Sequence, residues 1–312
     1  MGLGSDIQQI SSAIFYLISR PKQLWREIRL LSTGSCVGYY ELLGDDVLEG
    51  HNQAFSLSHK PLWLNLGYWK EARTYPDACS AMARLVADTA ELCENDTVLD
   101  VGFGFGEQDL FWVENYRVKR IIGFNITSSH VERARQRVER RGLSESIDLR
   151  VGSATEIALE NESVDKVVAL ESAFHFDTRV RFFREALRVL KPGGKLVLAD
   201  VVPAIGEKPG GLSHWIGLRR WGVPRANLYD REVYCEKLRK SGFVRINANC
   251  ISDDVFPAIA RYAEQRSRGL SMEEVRIELA ADEIGSGKGT ALWSSRVGLM
   301  DYVIFSAERP RT

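Results

Sequence analysis

The run Asp100-Val101-Gly102-Phe103-Gly104-Phe105-Gly106 sets an acidic residue ahead of glycines at every second position. Glycine has no Cβ and tolerates positive φ, so this spacing suits a turn where the backbone passes close to a ligand. Three titratable groups follow at a distance: Glu171, His175 and Asp200. An imidazole backed by a carboxylate accepts a proton near neutral pH, so His175 beside Asp200 would form a base with its orienting partner. Glu171 supplies a second carboxylate, able to meet a cation or take a proton. The set suits proton removal from a small molecule held next to the glycine turn.

These groups need a frame, and the surrounding sequence reads as one. Thr97-Val98-Leu99 leads as a short apolar strand into Asp100, and Arg120 to Thr127 forms a second strand with polar Asn125 near its end. Ser128 to Ala134 then opens a helix with Ser or Thr at the cap. Ile147 to Val151 alternates and runs into Gly152-Ser153-Ala154, and Val164 to Leu170 runs into Glu171-Ser172. Leu187 to Asp200 reads as a helix end, a Pro-Gly turn and a strand. Asp230 is placed to cap a helix over 231–241 ending at Gly242, and Gly298 to Ser306 alternates like a late antiparallel strand. Strands alternating with helices at this spacing predict a parallel α/β sheet, in which ligands bind at the C-terminal strand ends.

The loop spacing bears on the ligand. A dinucleotide fingerprint, G-x-G-x-x-G, needs a third glycine where Glu107 stands, and a carboxylate there would repel a pyrophosphate at the helix N-terminus. That argues against a nicotinamide dehydrogenase. G-x-G-x-G after an acidic residue suits a ligand without phosphates, such as S-adenosylmethionine (SAM).

The order DVGFGFG, GFN, GSA, ALES and LKPGGKLVLAD resembles the class I SAM-dependent methyltransferases over roughly residues 77–202. Within them it is similar to the small-molecule branch that methylates sugars, polyketides, lipids and terpenoids. The resemblance implies a doubly wound, mostly parallel seven-stranded sheet, Rossmann-like, with an N-terminal helical cap (1–76) and a methyltransferase domain (77–312). A substrate lid would be inserted at about 203–229. It also implies that Gly102, Gly104 and Gly106 lie under the methionine and ribose parts of SAM, with Asp100 near its polar groups. Asn125 and Ile126 would serve the adenosine, with Asn125 at the ribose hydroxyls, and Ser153 and Ala154 would serve the adenine. Asn125 and Ser153 both stand where a carboxylate is usual, and a neutral group bonds a hydroxyl more weakly. The stretch Asn65-Leu66-Gly67-Tyr68-Trp69 implies that Tyr68 and Trp69 fold over the cofactor, an aromatic face attracting the sulfonium. Glu171 has two readings, a SAM-contacting carboxylate or the base of a carbon methylation. Sugar O-methyltransferases that look similar carry a His after E-S and an Asp after the fifth strand, as His175 and Asp200 stand here.

Composition agrees with this reading. With 312 residues and a formal charge of −1, the chain is long enough for one large α/β domain with additions, and it shows no basic cluster for nucleic acid. Five scattered cysteines read as reduced thiols of a cytoplasmic protein, and no Cys/His spacing suggests zinc or another metal. Ala13 to Ile18 is apolar, but Arg20, Pro21 and Lys22 interrupt it before a membrane span, and no cationic segment of a signal peptide precedes it. An amphipathic helix packing on this or a neighbouring subunit is expected there. Its alternative is a membrane-surface helix with Leu24, Ile28 and Leu31 on one side. Trp215 and Trp221, with Phe174 and Phe176, suggest an apolar acceptor pocket, while Arg219, Arg220 and Arg225 read as a solvated charge run. The expected activity is methyl transfer from SAM to a hydroxyl of a lipophilic small molecule. The alternatives are carbon methylation of a prenyl-type substrate with Glu171 as base, and a SAM-binding partner protein without activity.

Overall fold

The computed structural model describes Val37, Tyr40 and residues 61–207, 222–267 and 299–312. At its centre is β1 (Thr97–Val101), buried from Val98 onward. A strand covered on both faces needs an unbroken apolar run, which Val98, Leu99 and Val101 supply. β2 (Arg120–Asn125) and β4 (Val164–Leu170) pair with β1 in parallel on either side, and β3 (Ile147–Val151) extends the sheet beyond β2. β5 (Leu190–Pro203) pairs in parallel with β4. β7 (Met300–Glu308) lies antiparallel between β5 and β6 (Val244–Cys250). Among the described residues the sheet thus has seven strands in the order β3-β2-β1-β4-β5-β7-β6. The chain reverses its direction of travel between β1 and β4, and a crevice opens at that point.

Helices cover both faces. α1 (Tyr75–Ala90) starts at Thr74, whose side chain accepts from the Asp77 amide, with Pro76 in the first turn. It buries Met82, Val86 and Ala90 against β4, β5 and β7, beside Trp112 of α2 (Glu107–Tyr116). α3 (Ser128–Arg140) follows Thr127 at the end of β2. On the other face α4 (Arg179–Val189) and α5 (Arg231–Lys240) bury Phe182, Phe183 and Tyr234. Tyr234 stacks on Phe305 at 3.8 Å between ring centres. As the sequence predicts, Asp230 caps α5 by accepting from the amides of Glu232 and Val233. α6 (Phe256–Ser267) closes the first face.

Two sequence expectations change. Pro192-Gly193-Gly194 is no turn between helix and strand: β5 starts at Leu190, and the register against β4 slips between Val164 and Lys166. The three residues form an irregularity within one strand, with Gly193 at φ +78°. Arg309 donates to the carbonyls of Leu187, Arg188 and Leu190, satisfying the last turn of α4 that a Pro-Gly turn would have left open. β7 is buried through Tyr302–Phe305 rather than alternating, because it is central and not an edge. The expected N-terminal helix, Cys36, and the middle of the expected lid with Trp215, Trp221, Arg219 and Arg220 lie outside the described residues. Among the described residues no helix is long and apolar enough to cross a membrane.

Candidate active site

The crevice at the C-terminal ends of β1, β2 and β4 opens into a cavity. Gly102 (φ +86°) and Gly104 (φ +59°) form part of its wall. A Cβ on Gly102 would lie 2.3 Å from Ser172, whose hydroxyl donates to the Val101 carbonyl at 2.6 Å. A Cβ on Gly104 would lie 2.9 Å from Leu64. The turn therefore needs glycine twice over, for its dihedrals and for its squeeze between β4 and the 61–74 segment. Gly106 (φ +74°) stands outside the wall, at the N-cap of α2. Glu107 follows it, ion-paired with Arg137 and accepting from the Leu62 amide at 2.6 Å. The start of α2 is thus already occupied by a carboxylate and its partners.

Asp100 is displaced from its expected place. It is fully buried behind the loop, where Gln108 Nε2 donates to it at 3.0 Å, and it is Gln108 that reaches the wall. Beside it lies Asp109, equally buried. Burial pushes both carboxyls up, and the charge of Asp100 pushes Asp109 further.

The residues expected to serve the adenosine are brought together at the cavity. Asn125, Ile126, Ser153 and Ala154 all line the cavity, with Ile126 about half exposed to it. Asn125 Oδ1 accepts from the Thr127 amide at 3.1 Å, and its Nδ2 donates to the Gly104 carbonyl at 3.4 Å, tying β2 to the glycine turn. Ser153 accepts from the Thr155 amide at 3.2 Å and shares a hydrogen bond with its hydroxyl at 3.0 Å.

On the opposite wall Glu171 follows β4 with φ +51°. Its Oε1 accepts from the Leu66 amide and from the Tyr302 hydroxyl, both at 2.7 Å. Burial drives its carboxyl up to about 7, against the lowering effect of those two donors. His175 ends the short turn Ala173–His175, and its Nε2 lies 3.0 Å from the Tyr40 hydroxyl. The Tyr40 ring stands edge-on to His175 and to His130. His130 Nε2 donates to the Tyr40 carbonyl at 3.0 Å, and burial pushes that imidazole down to about 4, so it is neutral at physiological pH. Tyr40, His130 and Gln108 are wall residues that sequence reasoning passed over. Tyr40 is 135 positions from His175, and nothing local marks such a contact.

Asp200 does not join His175. Arg179 donates to it twice, from Nε at 2.8 Å and Nη2 at 3.1 Å, and the Tyr234 hydroxyl donates at 3.0 Å. Both partners of this pair are at most 1% exposed. A guanidinium this deep needs a counter-charge, and Asp200 is the carboxylate it has taken. Tyr68 and Trp69 also miss the wall. Trp69 is fully buried against Tyr75 and Tyr262, with Nε1 donating to the Leu66 carbonyl at 2.8 Å. Tyr68 is half-buried and its hydroxyl is pushed up by burial and by Asp254. From that segment it is Leu64 and Asn65 that border the cavity.

A family profile described as a methyltransferase domain matches residues 99–198. The erythromycin 3''-O-methyltransferase of Saccharopolyspora erythraea is 33% identical over 92% of this chain and 93% of its own length. The chain belongs to the SAM-dependent methyltransferases. Another member, the 27-O-demethylrifamycin SV methyltransferase of Amycolatopsis mediterranei, is 30% identical over 80% of this chain and 92% of its own. The crystal structure of the [4+2]-cyclase SpnF superposes with a TM-score of 0.67 at 24% identity, covering 89% of this chain and 97% of that one. The last likeness concerns the fold alone, since one fold hosts several chemistries. SAM is the cofactor of this enzyme, and the wall fits it. Glycines leave room for backbone approach, neutral donors and acceptors stand beside them, and among the described residues the wall includes no Lys or Arg. A pyrophosphate would need cations or a free helix N-terminus, and the start of α2 already carries Glu107; SAM needs neither.

Proposed function

We propose that this methyltransferase acts on a hydroxyl of a lipophilic small molecule of natural-product type, with His175 as base. The observation that carries the proposal is His175 on the cavity wall with Nε2 at hydrogen-bonding distance, 3.0 Å, from a hydroxyl, that of Tyr40. Phe174 and Phe176 flank it and give the acceptor side an apolar character. The two relatives named above, one of them an O-methyltransferase by name and the other acting on 27-O-demethylrifamycin SV, support transfer to oxygen.

Bound SAM supplies a methyl group already activated by a sulfonium. Gly102 and Gly104 admit its backbone-facing part, Asn125 and Ile126 serve the ribose side, and Ser153 with Ala154 serves the adenine. Glu171, with its carboxyl near 7, offers negative charge to the cationic part of the cofactor. Neutral His175 takes the acceptor's proton as the oxygen attacks in line. The division expected at 76/77 falls inside α1 (Tyr75–Ala90), so the catalytic domain begins at Tyr75 and the segment before it serves as its cap. The amides of Leu62 and Leu66, closing on Glu107 and Glu171, support that division. Cys79, Cys93, Cys235 and Cys250 are free, in keeping with a reducing cytoplasm.

The test is His175→Ala, assayed with a panel of lipophilic hydroxylated natural products. Turnover should fall by about 10²–10⁴-fold. Calorimetric affinity for SAM should hold. A near-normal turnover would refute His175 as base.

A further inference from the structure

We infer that Asn227 is the positioning residue for the base, locking the turn that bears His175 to the chain returning from the insertion after β5; this rests on the reading of His175 given above. Asn227 ends the short turn Arg225–Asn227 and is 1% exposed. Its Nδ2 donates to the Phe174 carbonyl at 3.1 Å and to the Phe176 carbonyl at 2.7 Å, the residues on either side of His175. Its Oδ1 accepts from the Arg179 amide at 3.0 Å, the first residue of α4. Thr178, the N-cap of α4, makes no side-chain cap bond of its own, so Asn227 supplies an acceptor from another part of the chain.

The residue type matters. A primary amide offers two donors and an acceptor at once, and this site uses all three. An aspartate would set a carboxylate against two carbonyls, and a leucine would leave all three groups unpaired and buried. Arg179 continues the network: it donates to the Asn227 carbonyl, to Asp200 and to the Val201 carbonyl. The sequence expectation joined Asp200 to His175 directly. The connection runs instead from Asp200 through Arg179 and Asn227 to the backbone on both sides of the imidazole. None of these bonds reaches the glycine turn, Asn125 or Ser153. Loss of Asn227 should therefore move His175 and leave the cofactor side in place.

The experiment compares Asn227→Ala and Asn227→Ser with the parent, each as the full chain. Turnover of Asn227→Ala should fall on the order of 10²-fold, the cost of a base misplaced by about an ångström, with Asn227→Ser in between. Affinity for S-adenosylhomocysteine should stay within about twofold, since uniform binding is untouched. The Cε1–H NMR resonance of His175, assigned by its loss in His175→Ala, should shift its titration midpoint while the other histidines of the five titrate as before. An unmoved His175 resonance in folded Asn227→Ala overturns the proposal, as does a loss of cofactor affinity that matches the loss of turnover. Failure of both variants to fold overturns it too, by making Asn227 a requirement of the fold and not of the site. The resonance reports where His175 stands whether or not it is the base, whereas His175→Ala reports the base, so the two ideas fail separately.

Discussion

The ends of β4 and β5 carry the same kind of group with opposite fates. Leu170 and Ala199 are register partners, so Glu171 and Asp200 leave neighbouring parallel strands at the same level. Asp200 is fully buried, and Glu171 is half-buried at the cavity wall. Asp200 meets a guanidinium and two further donors and lies off the cavity wall. Glu171 meets a hydroxyl and an amide and, among the described residues, no cation; it faces the cavity, and its carboxyl is driven up to about 7. A strand end therefore places a carboxylate, but its partners decide its use. A buried carboxylate matched to a cation holds the fold, and one with no such match is pushed toward its neutral form and stays open to a ligand.

Breaking the matched pair should have the largest effect. Asp200→Ala leaves the Arg179 guanidinium buried with no counter-charge, and losses of about 3–5 kcal/mol follow from such removals. Urea unfolding measures it. A loss below about 1 kcal/mol would place the pair among ordinary surface ion pairs and erase the contrast.

The unmatched carboxylate should behave in the reverse sense. The folded value of Glu171, about 7, lies above an unfolded value of about 4.3, so the native state holds this proton more tightly. Its contribution to stability is present below about pH 4.3 and is lost as pH rises through 7. Glu171→Gln does not titrate and keeps an oxygen for Tyr302 and Leu66. Its stability relative to the parent should therefore climb by about 2 kcal/mol between pH 5 and pH 8, read from thermal melts. A gap independent of pH would mean that the carboxylate is not penalised where it lies. Kinetics sharpens the comparison: Glu171→Gln should lose less turnover than His175→Ala. A dead Glu171→Gln beside a near-normal His175→Ala would make Glu171 the base, as carbon methylation requires.

Much of the frame could be read from residues alone, because buried parallel strands carry continuous apolar runs and local signals mark their ends. Val164–Leu170 and Ile147–Val151 have the expected bounds, and Asp230 caps the expected helix. That Asn125, Ile126, Ser153 and Ala154 would line one cavity was also visible, since they follow directly on strand ends. What escaped depends on contacts across the chain. Arg179 begins a helix 21 positions before Asp200 and looks like any solvated basic residue, yet it is buried and claims that carboxylate. Trp69 sits in an aromatic-rich stretch that suits a lid or a core equally. Tyr262, nearly two hundred residues on, decides for the core. Pro192-Gly193-Gly194 carries a turn signature, and only Arg309, near the end of the chain, explains how a strand begins before it.

The smallest predicted effect concerns what replaces Asp200 at the imidazole. With that carboxylate committed to Arg179, the hydrogen-bonding group facing His175 Nε2 is the Tyr40 hydroxyl at 3.0 Å. A neutral hydrogen bond of this kind contributes about 0.5–1.5 kcal/mol, far less than a buried ion pair. Tyr40→Phe removes the hydroxyl and keeps the ring that stands edge-on to both histidines. If the hydroxyl orients the base, turnover should fall by about 3–10-fold with SAM affinity unchanged, since a 1.4 kcal/mol change is tenfold. If the hydroxyl only occupies the place an acceptor must take, Tyr40→Phe should raise kcat/KM instead. Single-turnover rates with saturating SAM distinguish the two. A rise would leave His175 as base, with its place set by the turn that Asn227 holds on both sides.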